Sequence, residues 1–169
     1  MIRTFLIAAA AITLSGSATR ASEAVAADGP RSAAETEVRY FLLDIIERFN
    51  RHEIKPPENP GFTADADFVN VEGRWMKGLA EIRGVHKAGS DAWLKDARIT
   101  LIDLEIRFIR PDVAVAHQLH EMTGLRHPGG ALIPPHQEIS TRVLLKEQGK
   151  WVTTAFQNMI VGSPDHDSH

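Results

Sequence analysis

Several absences narrow the functions open to this 169-residue chain. It has no cysteine, which excludes disulfide bonds and thiol chemistry, so its hydrophobic core must stabilise the fold alone. Its net charge of −3 is spread over interspersed residues of both signs, and we therefore expect no nucleic-acid partner. It contains neither a GxGxxG dinucleotide fingerprint nor an HExxH zinc motif, and we expect no cofactor and no bound metal.

The N-terminal residues are predicted to form a secretory signal peptide over 1–26. Arg3 precedes an apolar stretch from Phe5 to Leu14, and the small residues that follow allow cleavage near residue 21 or 26. That stretch is too short to cross a bilayer, and no apolar run of 18 residues follows it. We therefore expect a periplasmic or secreted protein without membrane insertion after signal removal. The alternative is an apolar terminus on a cytosolic chain.

One domain is expected over 32–162, between a linker at 27–31 and a disordered tail at 163–169. Hydrophobic residues make up 43 % of the chain and charged residues 24 %, a balance typical of a globular domain with a sizeable core. Ser32 and Glu35 fit a capping box at the start of a first helix, whose apolar residues recur at spacings of three and four.

The later periodicity predicts a sheet. A short strand is expected over 68–72, a second helix over 78–93, and then four longer strands whose apolar and polar residues alternate, at 99–109, 113–123, 138–145 and 151–161. Helices followed by an antiparallel meander indicate an α+β fold. We expect a cone-shaped curved antiparallel sheet with helices packed across its concave face, which would enclose a ligand cavity.

Two segments carry a resemblance to a known family. They are DADFVNVEGRWMKGLAEIRGVH, from Asp65 to His86, and LLKEQGKWVTTAFQN, from Leu144 to Asn158. Together with the element order they resemble the nuclear transport factor 2-like superfamily, and within it the SnoaL-like proteins and especially the SgcJ/EcaC group. The resemblance covers about residues 33–162 and implies a cystatin-like α+β roll. The superfamily includes isomerases, dehydratases, cyclases, ligand binders and structural domains, so the fold alone does not supply a function.

The sequence departs from two activities associated with this superfamily. Its ketosteroid isomerases use an aspartate base, a tyrosine and a protonated acid, and the matching positions here hold Asn70, Ile45 and Thr141. The resemblance therefore does not carry that mechanism. The SgcJ/EcaC group is often labelled oxidoreductase, but the missing dinucleotide fingerprint gives that label no support here.

Asp65 and Asp67 form the first candidate site. Two carboxylates in different environments can share acid and base roles. Acidic residues also commonly occupy turns, where they bond their own backbone. We favour the second interpretation, in which the two aspartates fill the turn before a strand that begins at Phe68.

The candidate catalytic residues are His86, His117 and Glu121. His86 falls on the apolar stripe of the second helix, where a histidine is either a hydrogen-bonded core residue or a titrating group facing the cavity. His117 and Glu121 share one face of a strand with Leu119, about 13 Å apart at a rise of ~3.3 Å per residue. They could contact one ligand from two ends, or Glu121 could be solvated at the rim.

The resemblance implies which strand faces are concave, and so which side chains line the pocket. The ligand-binding residues are predicted to be Phe68, Asn70, Trp75, Leu119, Thr141, Val143, Phe156 and Asn158. A metal site around the HQLHE segment is disfavoured, because His117 and His120 point to opposite faces of their strand.

The sequence thus predicts an exported domain that binds a small, mostly apolar molecule. It would be a non-redox enzyme of isomerase, cyclase or hydrolase type, or a non-catalytic ligand-binding protein or dimeric assembly domain. A homodimer is expected, because one helix layer covers only one face of a sheet that carries apolar residues on both.

Overall fold

The computed structural model describes residues 30–53, 61–90 and 92–162. Two helices and six strands follow one another in this part of the chain: α1 (Pro30–Asn50), β1 (Phe62–Val69), β2 (Trp75–Lys77), α2 (Gly78–Ser90), β3 (Arg98–Arg110), β4 (Val113–Thr123), β5 (His136–Glu147) and β6 (Lys150–Ile160). The predicted signal peptide and tail lie outside the described residues. The predicted linker overlaps the first turn of α1, which begins at Pro30 and not at Ser32.

The six strands form one sheet in the order β2-β1-β6-β5-β4-β3. Every neighbouring pair is antiparallel except β1 and β6, which run parallel. The expected α+β architecture is confirmed, but the sheet is mixed and not purely antiparallel. The parallel pair follows from the path of the chain. After β1, β2 and α2 the chain crosses to the far edge of the sheet, where β3 lies. It then returns strand by strand through β4 and β5, which places β6 beside β1.

Three predicted boundaries were wrong. β1 begins at Phe62, six residues before the predicted start at Phe68, and it ends at Val69 and not at Glu72. α2 ends at Ser90 and not at Trp93. Asp65 and Asp67 therefore lie inside a strand, with both side chains exposed, and they do not form a turn. Turn chemistry misled the prediction because the strand itself carries acidic residues on its solvent face, as the alternation of one-sided strands allows.

Alternating burial shows which face of each long strand is covered. On β4 the even-numbered residues from Ala114 to Met122 are buried, and on β5 the even-numbered residues from Glu138 to Leu144 are buried. On β6 the register shifts between Thr153 and Ala155, so Trp151 and Phe156 both face inwards despite their different parity. This bulge contradicts the expected regular alternation along the last strand.

Two hydrophobic clusters sit on this covered face. The first joins α1, through Val38 and Leu42, to Leu144 and Trp151 in the sheet. The second joins α2, through Ile82, to residues of β1, β2 and β6: Phe62, Ala66, Met76 and Phe156. The two helices are thus anchored to different parts of the sheet, which leaves space between them. Neither described helix has the length and apolar character needed to cross a membrane.

Candidate functional site

A cavity of about 740 Å³ lies among α1, α2 and the covered face of the sheet. Its wall includes apolar side chains from both helices and from five strands, among them Ile45, Phe49, Met76, Val85, Met122 and Phe156. Exposed residues such as Arg74 and His127 also line it, so it opens to solvent. A space of this size with a mostly apolar surface is suited to a small organic molecule.

Five of the predicted site residues line this cavity: Phe68, Asn70, His86, Phe156 and Asn158. Phe68 is central, with its ring centroid 4.5 Å from that of Phe156 and 5.6 Å from that of His86, which approaches edge-on. The side-chain oxygen Oδ1 of Asn70 accepts hydrogen bonds from the backbone N–H groups of Glu72 and Arg74 at 3.2 and 2.9 Å. Asn70 therefore fixes the turn after β1, while the functional roles of all five residues stay predictions.

Five other predicted residues lie on the opposite face of the sheet: His117, Leu119, Glu121, Thr141 and Val143. Odd-numbered residues of β4 and β5 face away from the cavity, and His117 is exposed there, with Nδ1 3.1 Å from Thr141 Oγ1. The prediction chose the wrong face for both strands. Because side chains alternate with a period of two, that one choice displaced every residue on each strand.

Trp75 is also outside the cavity wall. It is 54 % exposed on the short edge strand β2, where its Nε1 donates to Asp67 Oδ1 at 2.7 Å. The Lys77 ammonium group lies 3.9 Å from the centroid of the indole ring. Asp67 and Trp75 thus form a surface contact, and neither they nor Asp65 line the cavity.

A buried carboxylate cluster, absent from the predictions, lies on the cavity wall. Glu138 of β5 is 2 % exposed, and its Oε2 accepts the Asn158 Nδ2 group at 2.7 Å. His120 Nε2 lies 3.4 Å from the same oxygen, and His136 Nε2 lies 3.1 Å from Oε1. We call Glu138, His120, His136 and Asn158 the Glu138 cluster.

The environment keeps the Glu138 carboxyl ionised. Burial raises its pKa, but contacts with His120, His136 and Asn158 outweigh that effect and place the pKa below its ordinary value. A carboxylate that orients an imidazole by hydrogen bonding is a common arrangement for moving a proton. Of the four residues, His120, Glu138 and Asn158 line the cavity, so such a proton would be delivered inside it.

A second polar feature of the cavity wall is Arg142, which lies four residues after Glu138 on the same face of β5. Its Nε donates to Gln118 Oε1 at 2.9 Å and its Nη1 to Thr153 Oγ1 at 3.3 Å. The guanidinium carbon lies 4.2 Å from the centroid of the Phe156 ring. All these partners are neutral, so the side chain brings a positive charge to the cavity wall.

Two buried polar atoms on the wall have no hydrogen-bond partner among the described residues: His86 Nδ1 and Asn158 Oδ1. Buried polar groups normally find partners. Burial, followed by the nearby charge of Arg142, lowers the pKa of His86 to about 4. His86 is therefore neutral at physiological pH, with one ring nitrogen free to bind a ligand.

The pKa of His86 predicts how stability depends on pH. The unfolded imidazole titrates near pH 6.5 and the folded one near 4, so the unfolded state gains its proton first as the pH falls. The free energy of unfolding should therefore decrease by about 3 kcal/mol between pH 6.5 and pH 4. Urea unfolding at pH 7.0, 5.5 and 4.5 should show a steeper loss for the wild type than for His86→Gln. Parallel profiles would contradict the assignment.

No group of three or more histidine, aspartate or glutamate side chains that could hold a metal ion occurs within the described residues. The Glu138 cluster is compatible with this finding. It contains one carboxylate, and the ring nitrogens of His120 and His136 contact that carboxylate directly, so the three side chains do not surround a common position for an ion.

The missed residues left a partial signal in the sequence. Each face of β4 and each face of β5 mixes polar and apolar side chains. Glu138 and Arg142 share one parity on β5, and the buried Leu144 lies on the same face. Buried charges inside a strand are typical of a functional site. The prediction placed the odd-numbered residues of β5 in the cavity, and it therefore missed these two even-numbered residues.

Solved structures share this fold. An uncharacterized protein with a cystatin-like fold from Caulobacter vibrioides is 23 % identical, with a TM-score of 0.70 over 79 % of this chain and 92 % of that one. An NTF2-like protein from Pseudomonas putida is 16 % identical, with a TM-score of 0.65 over 81 % and 93 %. A ketosteroid isomerase-like protein from Erwinia carotovora is 17 % identical, with a TM-score of 0.62 over 76 % and 96 %.

No protein-family profile and no curated protein sequence matches the chain. The structural similarities confirm the predicted cystatin-like α+β fold, which the NTF2-like protein from Pseudomonas putida shares. At these identities they establish the fold and not the activity. The narrower assignment to the SgcJ/EcaC group stays a prediction.

Proposed function

We propose that this protein binds a small, mostly apolar molecule inside the cavity. The observation that carries the proposal is the mostly apolar space of about 740 Å³, whose wall holds two buried polar atoms that have no partner among the described residues. A ligand with an apolar body and a polar group would fill the space and supply those hydrogen bonds. Unmade hydrogen bonds at buried groups cost free energy, which binding would recover.

A cavity-filling variant tests this proposal. Gly84 of α2 lines the cavity, and a Cβ atom built there meets nothing within 4 Å, so Gly84→Phe should fold and obstruct the space. Binding of the neutral fluorescent probe N-phenyl-1-naphthylamine should weaken at least tenfold in this variant. Native mass spectrometry of freshly purified wild-type protein should also show a co-purified small molecule.

The matched control is Gly129→Phe, at an exposed loop position outside the cavity wall, where an added Cβ also meets nothing within 4 Å. It should bind the probe as the wild type does. Equal binding by all three proteins, or none by the wild type, would contradict the proposal.

A second candidate function is a non-redox enzyme of isomerase, cyclase or hydrolase type, and the Glu138 cluster favours it. The ionised, buried Glu138 carboxylate beside His120 can take up a proton from a bound molecule and return it at another atom. The similarity to a ketosteroid isomerase-like protein is consistent with proton-transfer chemistry. Conversion of the co-purified molecule should slow by ~10²–10⁴ in Glu138→Gln, as loss of a general acid or base typically does. An unchanged rate would leave only the binding function.

We further propose a homodimer formed through the outer face of the sheet. Apolar side chains are exposed on or beside that face, including Ile102, Ile139 and Met159 at 49 %, 39 % and 54 %. Exposed apolar clusters commonly mark interaction surfaces. Light scattering at micromolar concentration should give twice the mass of one chain, and a monomer would contradict this assembly.

Export is proposed from the leader pattern of residues 1–26. Cell fractionation followed by N-terminal sequencing should find a mature chain that begins near residue 22 or 27 outside the cytoplasm. Cytosolic protein that retains Met1 would contradict the proposal.

A further inference from the structure

Arg142 is a buried cation that forms no ion pair within the described part of the chain. The residue is 9 % exposed, and no carboxylate among the described residues lies within ion-pair distance of it. Its guanidinium has five N–H groups, two of which bond Gln118 and Thr153. Three N–H groups are therefore left without a partner in the described part of the chain, on a residue that lines the cavity.

None of the described carboxylates on the cavity wall forms an ion pair with Arg142. They are Glu72, Glu81 and Glu138. Glu138 is held by its own cluster, and its position four residues along the same strand puts it about 13 Å from Arg142, at ~3.3 Å per residue. Glu81 accepts the Lys77 backbone N–H at 3.0 Å and contacts Arg74 at 3.5 Å, and Glu72 is exposed after β1. None of the three neutralises Arg142.

The charge on Arg142 persists at neutral pH. Burial lowers its pKa to about 9, which still leaves the guanidinium protonated. A buried charge without a counterion is costly, and the protein could avoid that cost with an apolar side chain at this position. The surroundings instead hold the guanidinium in place: Gln118 and Thr153 bond two of its nitrogens, and Phe156 lies against its face.

We propose that the ligand of this cavity is a small organic carboxylate with an apolar body, whose charged group binds the guanidinium of Arg142. This inference rests on the proposed binding function and names the ligand class. The planar fork of arginine matches a carboxylate with two parallel hydrogen bonds, which lysine cannot reproduce. The neutral His86 beside it adds a ring nitrogen free to bond the same group, and Phe68 and Phe156 contact the apolar body.

Matched pairs of acids and amides test the ligand class. The probes are 2-naphthoate with 2-naphthamide, and decanoate with decanamide, titrated by calorimetry at pH 7.5. Each pair differs in charge and hardly in shape. The wild type should bind at least one carboxylate ten times or more as tightly as its amide. In Arg142→Met this preference should disappear while the affinity for the amide is retained.

Two further variants distinguish the effect of the positive charge from that of the guanidinium shape and from a general effect of the substitution. Arg142→Lys keeps the charge without the fork and should retain part of the preference. Arg110→Met makes the same substitution at an arginine paired with Asp112 outside the cavity wall, and it should behave as the wild type. Circular dichroism checks that each variant is folded.

The outcomes distinguish this inference from the proposed function. Equal binding of acid and amide by the wild type overturns the anion site and leaves the binding function intact. A preference for carboxylate that survives in both Arg142→Met and Arg142→Lys also overturns it, because another group then supplies the charge. If no probe of either kind binds, the anion site is overturned, and the binding function fails with it when N-phenyl-1-naphthylamine does not bind either.

Discussion

Replacing Glu138 with alanine should destabilise the fold by about 3–5 kcal/mol. The side chain is 2 % exposed and holds Asn158 and two histidines, so its removal leaves buried donors without an acceptor. Glu138→Gln keeps the shape and one acceptor and should cost less. Urea unfolding monitored by tryptophan fluorescence measures both changes.

Glu147→Ala is the matched control, because it makes the same substitution on the same strand at an exposed position. It should change stability by no more than about 0.5 kcal/mol. Contacts within the cluster hold the pKa of Glu138 below its ordinary value of 4.5. The contribution of the ionised Glu138 to the free energy of unfolding should therefore be complete at neutral pH and be lost as the pH falls below 4.5. Equal stability of Glu138→Ala and Glu147→Ala would show that the cluster does not support the fold.

Replacing Leu42 with alanine should lower stability by about 2–5 kcal/mol. Leu42 is 1 % exposed and packs, as part of α1, against the first hydrophobic cluster of the sheet. The lost transfer energy and the cavity left behind both contribute. Because α1 also forms one wall of the ligand cavity, this variant should bind N-phenyl-1-naphthylamine more weakly as the helix loosens.

Leu132→Ala removes the same atoms from a side chain that is 57 % exposed, and it should cost less than about 0.5 kcal/mol. Urea unfolding of both variants, with calorimetric melting as a second measure, checks the difference. A loss below 1 kcal/mol in Leu42→Ala would indicate that α1 is not fixed to the sheet by this contact.

Much of the architecture followed from the sequence. The spacing of apolar residues predicted both helices, and the period of two predicted the four long strands, because helices and strands bury one face with different periods. The segments from Asp65 to His86 and from Leu144 to Asn158 led to the fold that the solved structures confirm. Phe68, Asn70, His86, Phe156 and Asn158 were placed correctly on the cavity wall.

The strand faces were decided by tertiary structure. On β4, odd positions hold Val113, Val115 and Leu119, while even positions hold the smaller Ala114 and Ala116. Hydrophobicity alone favours the odd face, yet the even face is buried. In the tertiary structure the small alanines belong to the hydrophobic cluster that includes Val38 and Leu42 of α1. Period-two alternation fixes which residues share a face and cannot fix which face meets the helices.

The same limit hid the polar part of the site. The Glu138 cluster joins β4, β5 and β6, and Arg142 joins β5 to Gln118 of β4 and Thr153 of β6, so both depend on strand register. The bulge at Thr154 adds a change of parity that no local pattern announces. The sequence by itself determined the elements and their order. Only the packing of helices against one face of the sheet decided which charges became buried, because burial depends on neighbours that are distant in the chain.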